Sequence, residues 1–302
     1  MKNKLLAISP LRLSLLCGLL SAAFSCSSAF LFSQSILFIP LFLLNYLWLS
    51  PLLLVSLIHG TPYALLAGSI VLGVNILLAD TASTILFCGS LFPALYLAHL
   101  LQQKNTSPNR MGAGEAFSRV CFVYLGIMGI ALIFIFDSTS IKKISSAFLA
   151  ILPAQETTRI SETFDRLFPA IMCTSILISL AINLLVSLNI LAKLSPEKHP
   201  FPLTNDFKIP SYWDIVFITS LLLLLTGSEM FAFIGRNVLL LSCIPIYLYG
   251  LSIICYWLNP LENWVRWLII AVVLSLVLVW PAMLVVLLGL QEPVLKITKR
   301  FR

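Results

Sequence analysis

The chain has 302 residues, of which 60% are hydrophobic and only 10% charged. A soluble domain carries about 25% charge, so this surface suits hydrocarbon rather than water, and no stretch is polar enough to fold outside a membrane. The net charge of +7 would suggest nucleic acid in a soluble protein. Here Lys2, Lys4 and Arg12 lie at one end and Lys296, Lys299, Arg300 and Arg302 at the other. With no basic patch interleaved with aromatics, they read as positive-inside bias and attraction to anionic head groups. The expected partner is a lipid bilayer, with no nucleic acid.

Lys2 and Lys4 precede an apolar run in which Ala23-Phe24-Ser25 before Cys26 imitates a cleavage site. Apolar character resumes at Ala29 and continues to Ile58, which favours an uncleaved first transmembrane helix. Further candidate spans follow it. The series is about 11–32, 35–49, 51–79, 82–101, 117–136, 167–192, 213–228, 237–257 and 264–290. Most approach the roughly 20 apolar residues that cross hydrocarbon at about 1.5 Å each. An alternative division of the second and third is 35–58 and 61–79, because Pro62 after Thr61 suits a helix start. The fold class is therefore all-α, a polytopic transmembrane helix bundle of eight or nine spans. The expected organisation is a single integral membrane domain, 1–302, with a loop at 193–212 between residues 1–192 and the added helices of 213–302.

Orientation follows from basic residues in the loops. The N-terminus, the 102–118 loop (Lys104 and Arg110 against Glu115) and the 193–212 loop (Lys193, Lys198 and Lys208 against Glu197 and Asp206) are expected in the cytoplasm. The charge-balanced 137–166 connection is expected outside. Three further spans would then put the basic tail outside, so either the tail is an exception or one candidate, such as the short 213–228, does not cross. Within 137–166, Ile141, Ile144, Phe148 and Ile151, then Ile160, Phe164, Leu167 and Phe168 recur at helical spacing around Pro153. Two short amphipathic helices at the interface fit this pattern, as a lid or as cover for the bundle's edge.

Helices in lipid associate through close packing of small residues. Ser14, Gly18, Ala22 and Cys26 are four apart and share one face, as do Gly60, Ala64 and Gly68. These faces suit a neighbouring helix of this chain or of a partner. Ionisable and polar groups at membrane depth are costly and point by default to function. Asp80, Glu229 and Arg236, with Asn45 and Asn75, are the candidate solute-binding residues; the competing reading is boundary anchoring and helix-to-helix bonding, which also fits Asn183 and Asn237. His59 and His99 lie near span ends without acids or cysteines at ligand spacing, so neither a metal site nor a cofactor is expected. The seven cysteines fall in apolar runs and read as buried free thiols. Tyr46, Trp48, Tyr212, Trp213, Trp257, Trp264 and Trp267 read as interfacial anchors. No catalytic constellation is present, and the protein is not expected to be an enzyme.

Three stretches carry a likeness to a known family: Pro51–Gly60 with the small-residue run to Gly73, Gly235-Arg236-Asn237 leading into Pro245-Ile-Tyr-Leu-Tyr-Gly250, and Trp280-Pro281 followed by Leu287-Leu-Gly289-Leu and a basic tail. The chain resembles the YybS-like bacterial predicted membrane proteins, a family defined by a domain of unknown function. That family is in turn similar to the S components of energy-coupling-factor vitamin importers. The second likeness implies that the first six spans form an S-component-like core. It also implies that Ser14, Gly18, Ala22 and Cys26 dock on a membrane coupling subunit. What the resemblance implies is a transport-related protein of the bacterial inner membrane binding a small solute. The alternatives are a non-transporting scaffold or assembly factor and, behind both, an intramembrane enzyme acting on lipid.

Overall fold

In the computed structural model, residues 9–31, 47–78, 81–103, 112–135, 154–194, 207–258 and 279–295 are described. Among them the regular structure is all helical: α1 (Pro10–Leu31), α2 (Leu49–His59), α3 (Thr61–Leu78), α4 (Thr81–Gln103), α5 (Ala113–Ile135), α6 (Ala154–Leu194), α7 (Tyr212–Leu224), α8 (Glu229–Leu258) and α9 (Val279–Leu295). Segments within α5, α6 and α8, namely Ala113–Ile130, Phe164–Leu191 and Glu229–Cys255, are long and apolar enough to cross a membrane; shorter apolar segments are Pro10–Ser25, Leu49–His59, Thr61–Leu77, Tyr212–Leu224 and Pro281–Gln291. The chain divides into two compact units, Met1–Val120 with Ile178–Asp206, and Cys121–Leu177 with Phe207–Arg302.

In the first unit α1 has two unlike faces. Leu11, Leu15, Leu16, Leu19 and Leu20 point outward, whereas Leu13, Ser14, Cys17, Ser21 and Ala22 are buried. Bulk outward and small residues inward let backbones approach, which is how helices associate where apolar burial gives no net drive. The approach is made against α3: a Cβ on Gly18 would sit 3.0 Å from the Ala67 carbonyl oxygen and 3.2 Å from the Ala67 Cα. Contacts advance together along both helices. Leu13 and Cys17 share a cluster with Tyr63, Gly18 lies on Ala67 and Ile70, and Asn75 Nδ2 donates to Ser25 Oγ at 3.0 Å. Thus α1 and α3 run parallel.

Of the two divisions open to residues 35–79, the structure takes the break at Gly60. Its φ of 108° lies in the left-handed region, where a Cβ is disfavoured. The 51–79 run is therefore two helices, α2 and α3, with Thr61 and Pro62 in the first turn of α3. A buried polar ladder ties α2 to α6. Ser50 Oγ donates to Asn183 Oδ1 at 2.7 Å, Ser187 Oγ donates to the Ser50 carbonyl at 3.0 Å, and Asn183 Nδ2 donates to the Ser179 carbonyl at 2.7 Å. The α4 helix returns antiparallel to α3, since Leu91 lies over Gly68 while Gln102 reaches Thr61.

In the second unit α7 lies against α8, where a Cβ on Gly235 would be 2.9 Å from the Ser220 carbonyl oxygen. Its 13 residues make a helix of about 20 Å, ending at Leu224 and short of the 213–228 candidate. The chain then turns through Gly227, whose φ is 71°. The α9 helix meets α8 backbone to backbone: a Cβ on Gly250 would fall on the Val285 carbonyl, and one on Gly289 on the Ile246 carbonyl. Residues 264–278 of the last candidate span lie outside the described residues.

Two expectations need correction. The amphipathic stretch around Ile160 and Phe164 is not a separate short helix: α6 runs unbroken for 41 residues from Ala154 into the following span, because nothing between Phe164 and Pro169 stops the helix. The first proposed amphipathic helix, 139–153, lies outside the described residues. Trp213 and Trp48 are not anchors at the lipid surface, since they are 0% and 8% exposed; Trp213 packs edge-on to Phe122 at 6.2 Å. Trp257, 37% exposed, remains at the surface.

Candidate functional site at the Gly60 break

Where one helix ends and the next begins at once, up to four carbonyls and four amides lose their helical partners. Here one side chain serves both ends. Gln102, near the end of α4, donates from Nε2 to the Ser56 carbonyl and to Ser56 Oγ at 3.0 Å. Its Oε1 accepts from the Thr61 amide at 3.2 Å and from Thr61 Oγ1 at 3.0 Å. Both donor hydrogens and both acceptor lone pairs of the carboxamide are used. Ser56 is fully buried, and its carbonyl also receives the Gly60 amide at 2.9 Å.

His59 lies between Ser56 and Thr61 in the chain, one residue before the break. Its ring meets Tyr63 edge-on with centroids 6.0 Å apart, and Ile58 and Tyr63 pack on the Leu13, Cys17 and Val55 cluster. The His59 Nε2 is buried and makes no hydrogen bond, a state shared among the described residues only with Ser21 Oγ and Thr174 Oγ1. An imidazole nitrogen accepts in one tautomer and donates in the other, so the atom is equipped to bind a polar group brought to it. Buried polar atoms are rarely left so.

The residues singled out from sequence are dispersed. Asn75 is buried and is engaged by Ser25 and by the carbonyl of Val71 at 2.9 Å. Glu229 and Arg236 lie exposed along the first turns of α8, in the other unit. Asn45 and Asp80 lie outside the described residues. Ser14, Ala22 and Ala64 are buried, Gly18 touches α3 and Gly68 touches Leu91, and the Cys26 side chain lies outside the described residues. Gly60 serves as the turn itself. Ser56, Thr61 and Gln102 were not signalled; the available sign was a glutamine closing an apolar run within reach of a helix start. Among the described residues no group of three His, Cys, Asp or Glu side chains could hold a metal. The Cys17, Cys121, Cys173, Cys243 and Cys255 thiols are free.

Asn237 also does backbone work in the second unit. Its Oδ1 accepts from the Ala170 amide at 3.0 Å, and its Nδ2 donates to the carbonyls of Arg166 and Phe233, both at 2.9 Å. Gly235, Asn237, Gly250 and Gly289, all from the stretches that carried the family likeness, are the positions where α8 meets α7, α6 and α9.

Long apolar helices joined by backbone-close glycines and buried amide side chains define a helical membrane protein. The chain belongs to the predicted membrane protein family DUF2232, whose profile matches residues 27–291. No curated protein and no solved structure matches it.

Proposed function

We propose that the chain is a multi-pass protein of the bacterial inner membrane, with its N-terminus in the cytoplasm and eight or nine crossings, that binds a small solute in a transport-related role. The observation that carries the reading is His59 Nε2, buried without a hydrogen-bond partner, on a ring that meets Tyr63 edge-on. A group that costs free energy unpaired is stabilised by a ligand that pairs it. Asn45, Asn75, Asp80, Glu229 and Arg236 remain separate candidates for solute contact, each to be tested by its own substitution.

A thermal-shift screen of small polar solutes on the detergent-purified protein tests it. A binder should raise the Tm of the wild type and lose that effect in His59→Phe. Failure of every solute, together with unchanged uptake in a deletion strain, would end the reading. The likeness to S components adds a coupling subunit as a partner. Gly18 already lies on α3, so such a subunit would engage another face.

A scaffold role is favoured by Gly126 and Gly129 on α5, which have open space beside them. A stoichiometric crosslinked partner that is neither a coupling subunit nor an ATPase would select it. No catalysis is proposed, and a changed lipid profile on deletion would count against that.

A further inference from the structure

We propose that residues 207–224 make one discontinuous crossing of the membrane beside α8, and that its non-helical part, 207–211, lines a water-filled cavity reaching the middle of the bilayer. The whole element lies in the second unit, and the proposal rests on α8 crossing the bilayer. The break has a local cause. Pro210 disfavours helical backbone at Ile209. Residues 207–210 are irregular, and helix begins only at Tyr212. The carbonyls of Pro210 and Ser211 accept from the amides of Trp213 and Asp214 at 3.3 and 3.2 Å.

Depth follows from register along α8. Gly235 meets Ser220, Leu223 and Leu224, and Ser252 Oγ donates to the Phe207 carbonyl at 3.4 Å. The element therefore runs antiparallel to α8. Counted back from the Gly235 contact, Tyr212 falls about 15 Å along α8, level with Pro245. Arg236 and Trp257 are both exposed. Their separation along the helix is about 32 Å, close to the roughly 30 Å of a hydrocarbon core, and both residue types suit head-group levels. Between those levels, Phe207 lies about 8 Å inside Trp257 and Tyr212 about 18 Å, near the midplane. The α7 helix is thus one half of the crossing and 207–211 the other.

Irregular backbone at membrane depth is tolerated only where protein or water meets its polar groups. Protein meets one end of it, since Phe207 is 5% exposed and its carbonyl is held by Ser252. Beyond that, the amides and carbonyls of Lys208 and Ile209 have no partner among the described residues, and Lys208 and Ser211 are exposed. In lipid an ammonium and bare backbone groups are costly; water satisfies them all. The outward Ile215, Ile218 and Leu222 of α7 suit lipid instead.

Spin labels on single cysteines of the full-length, otherwise cysteine-free chain in lipid nanodiscs test this, through collision rates with a water-soluble nickel chelate and with oxygen. Arg236→Cys and Trp257→Cys should read head-group depth, and Ile215→Cys, between them, hydrocarbon. Lys208→Cys and Ser211→Cys should meet nickel several-fold more often than Ile215→Cys, although they also lie between the two head-group levels. Hydrocarbon readings at Lys208 and Ser211 overturn the cavity. A water reading at Ile215, or a hydrocarbon reading at Arg236 or Trp257, overturns the crossing. None of these readings involves His59 or an added solute, so solute binding stands or falls separately. Hydrogen–deuterium exchange of the unmodified chain decides if the cysteine-free chain fails to fold. The Lys208 and Ile209 amides should exchange freely while α8 is protected, and protection of both amides overturns the proposal.

Discussion

Gly60 and Gln102 solve one problem between them. The turn between α2 and α3 needs a positive φ, which glycine supplies at no steric cost, and it strands backbone groups that Gln102 recovers. Gly60→Ala should lower stability by about 1–2 kcal/mol, read as a drop in Tm in detergent. Gln102→Leu should cost more, about 1–3 kcal/mol, since the Thr61 amide and Ser56 hydroxyl lose their partner in a buried setting. The Ser50–Asn183 bond admits a double-mutant cycle. Ser50→Ala, Asn183→Leu and the pair should report a coupling of about 0.6–1.7 kcal/mol, the range for interhelical bonds in lipid. A coupling near zero would show that the ladder is replaced by other bonds in the variant. Sequence pointed to the type of residue here but not to its use. Asn75, Asn183 and Asn237 stood out as polar residues in apolar runs. Whether such a side chain faces a solute or a neighbouring helix depends on rotation about the helix axis and on what lies opposite, and neither is written in local sequence.

At the scale of helices, glycine has two meanings that sequence does not separate. Gly250 and Gly289 let two backbones touch, whereas Gly126 and Gly129 have nothing within 4 Å. Gly289→Ala should therefore destabilise by about 1–3 kcal/mol, because the colliding atom is the Ile246 carbonyl and cannot rotate away. Gly126→Ala should be neutral or stabilising by up to about 1 kcal/mol, since alanine is the better helix former. Urea or thermal denaturation in the same detergent compares the two. Among the described residues, helix existence was legible from runs of apolar residues. Element limits were not, where a single residue decided them. Gly60 split a run of even hydrophobicity, and α6 continued through Pro169, where Asn237 of α8 bonds the Arg166 carbonyl and the Ala170 amide. The short α7 was legible as an outlier in length, and its partner was not.

At the scale of the molecule, the parallel run of α1 and α3 and the antiparallel return of α4 bring Ser9, Thr61 and Gln103 toward one end of these helices and Leu77 toward the other; on the proposed topology the two ends face opposite sides of the bilayer. Single cysteines at Ser9, Gln103 and Leu77, in an otherwise cysteine-free chain, should divide accordingly. An impermeant maleimide added to intact cells should label Leu77→Cys and spare Ser9→Cys and Gln103→Cys. Labelling of Ser9→Cys and Gln103→Cys with sparing of Leu77→Cys would invert the orientation while leaving the parallel pair intact. Separation of Ser9→Cys from Gln103→Cys would contradict the helix register itself. Loop charge gives the same expectation, since basic residues mark both the N-terminus and the 102–118 connection. The parallel partnership was invisible in sequence, because small residues four apart say that a helix will be approached closely and not by which one.

That partnership also sets an order of events during synthesis. The serine-bearing side of α1 leaves the ribosome some 30–47 residues before the helix that will cover it, a lag of roughly 2–10 s at ordinary elongation rates. Until α2 and then α3 arrive, Ser14, Ser21 and Ser25 have lipid or the insertion machinery beside them. The first helix of this chain must therefore either linger at the insertase until its mate arrives or drift into lipid and be recaptured. Crosslinking of stalled nascent chains at successive lengths would tell which.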